Sequence, residues 1–443
     1  MPIKVGMVSL GCSKNLVDSE RMLYKLKSHG YKLVTEPGLA DIAVVNTCGF
    51  IQSAKEEAIE TILELAKLKA DGTLKKIVVT GCLSERYKEE TAELFPEADA
   101  VIGIGNNKDI VDVLDHVLKD ERYINFAPKL DAELTGERII STLPFFAYLK
   151  VAEGCSNCCT YCAIPQIRGK FRSVPMEEVI KEAEWLAQNG VTELIVIAQD
   201  TSRYGEDLYG ESKLPELLRR LCKIDGIHWI RTLYCYPERI TDELLETIAG
   251  EEKLVKYLEI PIQHCNGEIL DRMNRWGDRE SLENLFAHIR EKVPDVILRT
   301  TLITGFPAET EEQFTELSEF VNNVRFDRLG CFAYSQEEGT KSAEFEGQID
   351  DEVKHHRADI IMEQQMLISA GNNEKLLGKE LEAVVEGFDR FGECWFGRTR
   401  LDAPDIDGKV FFTSGKSLSV GEYVKIKITD TLDYDLIGEV IAE

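Results

Sequence analysis

Short apolar runs alternate with amphipathic stretches through the first 125 positions. KVGMVSLGC is almost unbroken in its apolar character, and VDSERMLYKLKSHG behind it carries helical periodicity and a glycine stop. The pair recurs as ADIAVVNTCGF with SAKEEAIETILELAKLK, as KKIVVTGCLS with ERYKEETAELF, and as AVIGIG with DIVDVLDHVL. Strands that lack polar alternation and are spaced by helices predict a parallel sheet covered on both faces over residues 1–125. The polar, aperiodic, Pro-bounded stretch APKLDAELTGERIISTLP reads as a linker.

The alternation then restarts over residues 141–372. FFAYLKVAEG, TELIVIAQD, HWIRTLYCYP, KYLEIPIQHC, ILRTTLITGF and RLGCFAYSQ read as strands, with helical segments such as MEEVIKEAEWLAQNG and ETEEQFTELSEFVNNV between them. Serial strand–helix units predict a full or partial α/β barrel, whose chemistry sits at the C-terminal strand ends. DDEVKHHRADIIMEQQMLISAGNNEKLLG reads as a closing helix. Over 374–443 the pattern changes to short strands between turn residues, which predicts a small all-β barrel. The expected fold class is α/β: an open parallel sheet, a (β/α)6 partial TIM-type barrel and a C-terminal β-barrel.

Composition narrows the function. The 443 residues include 12 cysteines and a formal net charge of −27. The start runs straight into a strand without a signal segment, and no apolar stretch is long enough for a membrane span. A reducing cytoplasm is the expected compartment, and there clustered cysteines point to metal or redox chemistry rather than disulfides. The negative charge suits a cationic partner and argues against direct nucleic-acid binding.

Residues 155–162 read CSNCCTYC. One parse is two CxxC pairs, Cys155/Cys158 and Cys159/Cys162, as in a zinc ribbon. Such pairs are normally far apart in sequence so that two loops can converge on the metal. The other parse is CxxxCxxC, with Cys155, Cys159 and Cys162 holding three irons of a cubane and leaving the fourth open. This loop follows the first barrel strand, on the active face of such a fold. Three further cysteines, Cys12, Cys48 and Cys82, each end a predicted strand of the first sheet, and strand ends of an open α/β sheet converge on one crevice. A second cluster on these three is therefore expected.

CxxxCxxC behind the first strand of an α/β barrel resembles the radical S-adenosylmethionine superfamily. That resemblance implies that the open iron chelates S-adenosylmethionine and that the reduced cluster splits it to a 5′-deoxyadenosyl radical. It gives Tyr161 two readings, an adenine contact or loop packing. ILRTTLITGFPAET resembles the cofactor-contacting fifth strand, with Ala308 where the family has glycine. The two triads and the end barrel together resemble the methylthiotransferases over almost the whole chain. SLGCSKNLVDSE, TCGFIQSAKEE, GCLSERY, IAQDTSRYGEDLYG, RTLYCYP, IPIQHC and FAYSQEEGT are most similar to the branch that modifies an aspartate of small-subunit ribosomal protein twelve, although Ser13 replaces a usual proline.

The resemblance implies two [4Fe-4S] clusters. The cluster on Cys12, Cys48 and Cys82 would present a sulfur that one S-adenosylmethionine methylates, and the other would supply the radical that opens the aspartate β-carbon. A side-chain base cannot remove that hydrogen, so a cofactor radical is required and no acid–base residue is nominated. The implied partners are the ribosomal protein, or the ribosome carrying it, and an electron donor such as flavodoxin or ferredoxin. The alternatives are the sister branch that modifies an adenosine in tRNA, which the acidic tail disfavours, and a non-catalytic iron–sulfur electron carrier.

The remaining features have plainer readings. Cys158 is a bystander with a buried thiol, and Cys222, Cys235, Cys265, Cys331 and Cys394 pack in cores. His355 and His356 are solvated, while His264 ends a barrel strand and could face the site. GIGNNKD is a turn. Asp350–Asp351 and Glu337–Glu338 are exposed charge. The acidic tail is the candidate docking surface for a basic substrate.

Overall fold

The computed structural model describes residues 2–441. The first sheet has six parallel strands in the order 32–34, 4–9, 42–47, 76–81, 100–102 and 123–125. The two short edge strands, Lys32–Val34 and Tyr123–Asn125, were too brief and too polar to register as apolar runs. Each central strand is buried on both faces. Ala43, Val45, Ile77 and Val79 pack on one helical layer with Ala58 and Ile62, while Ile42, Val44 and Val78 pack on the other with Met22, Leu26 and Leu114. This two-sided burial explains the unbroken apolar runs. GIGNNKD is not a plain turn: Ile104–Asp109 forms a 3-10 helix that leads into the helix Ile110–Val117.

All six expected barrel strands are present, at 146–150, 193–197, 229–232, 254–259, 297–304 and 328–333. They pair in chain order, each parallel to the next, as an open six-stranded wall. The outer layer of Leu149, Val196, Ile230, Leu258 and Leu302 packs under the helices. The interior is a column of Phe146, Tyr148, Ile195, Ile197, Trp229 and Tyr257. Val17 of the first sheet's leading helix joins that column, and so do Val384 and Ala403 of the tail.

The tail forms a closed five-stranded barrel over 380–440. It sits against the starts of the central strands. Arg398 Nη2 is 2.7 Å from Glu193 Oε2, Arg328 Nη2 is 2.6 Å from Asp402 Oδ1, and Arg299 Nη1 is 2.6 Å from Asp407 Oδ1. Part of the tail's negative charge is therefore consumed in buried internal pairs and does not face a partner. The connecting segment is pinned as well: buried Arg138 donates to Glu20 Oε2 at 2.9 Å and to the Tyr148 carbonyl at 2.7 Å. No helix among the described residues is long and apolar enough to cross a membrane.

Candidate functional site

The three strands that carry Cys12, Cys48 and Cys82 are immediate neighbours in the sheet. Ser9 pairs with Asn46 and Thr47 with Gly81, so their C-terminal ends lie level. The strand order reverses between 4–9 and 42–47, and open α/β sheets bind ligands above such a reversal. Cys12 caps the helix Ser13–Ser28, Cys48 directly follows its strand, and Cys82 begins the helix Cys82–Leu94. Cys12 is exposed, Cys48 half-buried and Cys82 buried.

Two glycines keep these loops close. A Cβ on Gly11, which has φ +84°, would fall 2.7 Å from Cys48 Cβ and 2.8 Å from Cys48 Sγ. A Cβ on Gly49 would fall 2.7 Å from Leu83 Cα and 3.0 Å from the Cys82 carbonyl carbon. Both additions would push the cysteine-bearing loops apart, so the cradle is built for close backbone approach. Among the described residues, no three His, Cys, Asp or Glu side chains converge tightly enough to hold a single metal ion. Thiolates on separate corners of a cubane do not need that convergence. Three thiols at level strand ends therefore fit a cluster.

Buried cations surround this triad. Arg168 donates from Nη2 to Cys82 Sγ at 3.4 Å and to Asn15 Oδ1 at 2.9 Å, and from Nη1 to Asp18 Oδ2 at 2.6 Å. Lys150 pairs with Asp18 and, at 2.8 Å, with Glu153. Lys14 Nζ lies 3.0 Å from the Tyr234 ring centroid. Burial pulls the Lys14 ammonium down to about 8 while the nearby Cys12 works the other way. Burial likewise pushes the Cys82 thiol up to about 12, opposed by Arg168. Such a thiol gives up its proton when a cation such as iron arrives to bind it.

The second triad follows the first barrel strand. Cys155 and Cys159 are buried, Cys162 is half-buried and Cys158 is exposed. The burial expected for Cys158 is thus overturned: its left-handed backbone, φ +54°, turns the side chain out while its neighbours turn in. The loop is held from several sides. Asn157 donates to buried Asp200 at 2.8 Å and accepts from Arg203 at 3.2 Å, and Asn274 donates to the Asn157 carbonyl at 2.9 Å. The Thr160 N–H donates to the Met273 carbonyl at 3.0 Å. Around Cys159 Sγ stand the Tyr236 hydroxyl at 3.7 Å and Arg275 Nη1 at 3.8 Å, with the guanidinium 4.0 Å from the Tyr236 ring centroid. Burial raises the Cys155 thiol to about 11. A guanidinium and a phenol beside one thiol suit a sulfur that carries negative charge, so this donor set also fits a cluster.

Tyr161 packs against the apolar group of Ile269, Met273, Phe306 and Tyr334. His264 is fully buried behind the fifth-strand loop. Its Nδ1 accepts from the Asn266 N–H at 2.9 Å, and its Nε2 lies 3.8 Å from Glu309 Oε2. Glu309 accepts from the Gly305 N–H at 2.7 Å and from Arg357 Nη1 at 2.9 Å. Cys222, Cys235, Cys265 and Cys331 are buried as expected, but Cys394 is only half-buried at the start of a tail strand.

The domains that carry the two triads meet across a seam. Cys82 packs against Ala163 and Ile167, and Ala163 directly follows Cys162. The seam is latched by Glu337, whose Oε2 lies 2.7 Å from Arg86 Nη1 and 2.9 Å from Lys55 Nζ. The exposed charge expected for Glu337–Glu338 is therefore half wrong. Glu338 is exposed, but Glu337 is buried because the first sheet covers it.

The sequence reasoning also missed Lys14, Arg168, Tyr236 and Arg275. Tyr236 lay in the quoted RTLYCYP at a strand end, and Arg168 lies six residues past Cys162 beside a glycine. Neither spacing is a metal signature, so only the fold exposes their roles.

Comparison with known proteins agrees with this architecture. Residues 4–103 match the uncharacterized protein family UPF0004, residues 149–321 the radical SAM superfamily, and residues 377–441 the TRAM domain. The ribosomal protein uS12 methylthiotransferase RimO of Thermoanaerobacter sp. (strain X514) is 48% identical over 437 residues, covering 98% of this chain and 99% of that protein. The RimO of Lachnoclostridium phytofermentans is also 48% identical, over 438 residues and the same shares. Among solved structures, the radical S-adenosylmethionine methyltransferase TsrM of Kitasatospora setae aligns with a TM-score of 0.56 at 14% identity, covering 75% of each chain. That likeness speaks to the fold alone.

Proposed function

The chain belongs to the RimO family of ribosomal protein uS12 methylthiotransferases, and from that premise we propose that it places a methylthio group on the β-carbon of an aspartate in uS12. It is a radical S-adenosylmethionine enzyme that transfers a sulfur-containing group. We assign Cys155, Cys159 and Cys162 to one [4Fe-4S] cluster, and Cys12, Cys48 and Cys82 to another. When bound, the first supplies the electron that cleaves S-adenosylmethionine, and the second supplies the sulfur.

The observation that carries this reading is the packing of Cys82 on Ala163 and Ile167, directly behind Cys162. It supports the reading because one cysteine of the strand-end set touches the helix that follows the barrel loop, the closeness a transfer between the two sites needs. The chain's own residues orient and enclose. Arg275 and Tyr236 hold the Cys159 sulfur. Asp200, Asn157 and Arg203 fix the cysteine loop. Tyr161 packs beside Ile269 and Met273, and we assign the part of its ring that stays uncovered to the adenine. Glu337 keeps the first sheet closed over the barrel mouth.

The test is direct. The anaerobically reconstituted enzyme is supplied with S-adenosylmethionine, reduced flavodoxin and uS12, and the uS12 peptides are read by mass spectrometry. A methylthio group on one aspartate is expected. Transfer to a tRNA adenosine, or cleavage of S-adenosylmethionine with no transfer to uS12, would overturn the reading.

A further inference from the structure

Arg168 ends the short helix Ile164–Arg168, which begins two residues past Cys162. Its position in the chain ties it to the barrel triad, yet its guanidinium crosses the seam to Cys82 Sγ at 3.4 Å. The side chain is 2% exposed. Its two Nη groups also donate to Asn15 and Asp18 of the helix Ser13–Ser28 and to Glu153 at 3.3 Å, so the planar fork is held from three directions. A guanidinium gripped this way cannot swing off the sulfur. Among the described residues, none of the first domain donates to a barrel-triad sulfur in return: Arg275, beside Cys159, belongs to the barrel itself.

Reduction adds negative charge to a cluster and its thiolates. An N–H donor on a cluster sulfur stabilises the reduced state, and hydrogen bonds to the sulfurs are among the levers that set cluster potentials. Low exposure strengthens the effect, because little water competes for the sulfur.

We propose that Arg168 is a positioning residue that the barrel lends to the other cluster. It fixes the Cys82 thiolate against the helix that follows the barrel loop and raises the reduction potential of the cluster on Cys12, Cys48 and Cys82. This rests on the assignment of those three cysteines as ligands. Its consequence is that the sulfur-bearing cluster has its proper potential only while the two halves are docked.

The test uses full-length Arg168→Gln and Arg168→Lys, reconstituted anaerobically with iron and sulfide. Iron per chain is measured first, then the midpoint potential of each cluster by redox titration followed by electron paramagnetic resonance. A parallel chain with Ala at Cys155, Cys159 and Cys162 identifies the signal of the remaining cluster. The expected result is about eight irons in the wild type and in both variants. The signal of the Cys12–Cys48–Cys82 cluster moves to more negative potential, further for Gln than for Lys, while the barrel cluster stays in place. Unmoved potentials in an iron-replete Arg168→Gln chain would overturn the proposal, and so would equal shifts of both clusters. Should Arg168→Gln not fold, Arg168→Lys decides by the same criterion, because its charge still satisfies Asp18. About four irons in the wild type would remove the ligand assignment itself, which is a different failure.

Discussion

Cys155, Cys159 and Cys162 share one eight-residue loop, whereas Cys12, Cys48 and Cys82 come from three strands whose ends the sheet brings level. The first triad is grouped by local chain geometry, and the fold buries it and holds its loop through Asp200, Arg203 and Asn274. The second does not exist until two crossover connections have closed. Their surroundings differ in the same sense. The barrel triad takes Arg275 and Tyr236 from its own domain. The strand-end triad takes Arg168 from the other one. A local motif can be self-sufficient, while a site assembled from distant strands borrows its finishing contacts from whatever packs on it.

The largest expected effect tests whether the triads are separate sites at all. Ala at Cys12, Cys48 and Cys82 lowers iron from about eight to about four per chain and abolishes transfer to uS12, while cleavage of S-adenosylmethionine to 5′-deoxyadenosine continues. Ala at Cys155, Cys159 and Cys162 also leaves about four irons but stops cleavage. Identical outcomes for the two variants would erase the comparison.

Next in size is the latch that holds the triads together. Glu337→Gln leaves Arg86 and Lys55 buried without a counter-charge, at a cost of about 3–5 kcal/mol. Its pH dependence follows from the carboxyl. Desolvation pushes the Glu337 carboxyl up, but the hydrogen bonds from Ser335, Lys55 and Arg86 outweigh it, so it titrates below its ordinary 4.5. A depressed carboxyl contributes stability that is present above 4.5 and lost as pH falls through the folded value. The Tm gap between wild type and Glu337→Gln is therefore wide at pH 7 and narrows below about 4.5. A gap that ignores pH would mean that the ion pairs are not what closes the seam.

A smaller change sharpens the contrast in supporting contacts. Arg275→Lys loses the planar stack on Tyr236 and lowers the rate of S-adenosylmethionine cleavage about 10- to 100-fold, with the Cys12–Cys48–Cys82 cluster untouched. The kinetics of 5′-deoxyadenosine release check this. Cys158→Ser gives the smallest effect: iron stays at about eight and stability moves by less than about 0.5 kcal/mol, because the side chain is exposed. Loss of iron in that variant would restore the parse into two CxxC pairs.

Much of this was legible from the chain alone. Two-sided strand burial writes unbroken apolar runs, so the four apolar strands of the first sheet and the six of the barrel stood out, while Lys32–Val34 and Tyr123–Asn125 did not. CxxxCxxC is visible because all three ligands lie within one loop. Cys12, Cys48 and Cys82 were found through their shared place at strand ends, which is a statement about topology rather than spacing.

What the sequence by itself determined was therefore whatever depends on local periodicity: the order of the elements, the three kinds of layer and the positions of both triads. Only the tertiary structure decided which charges are buried. Glu337 and Glu338 are adjacent and identical in the chain, yet one is sealed beneath the first sheet and the other faces solvent. Asp402 and Asp407 look like acidic tail residues until Arg328 and Arg299 claim them. Arg168 looks like any arginine after a cysteine loop until the seam closes on Cys82. A hydrophobic period is set by the backbone a few residues at a time. An ion pair or an N–H···S contact is set by elements more than 80 residues apart in Arg168–Cys82 and about 250 apart in Arg86–Glu337, and only folding brings such partners together.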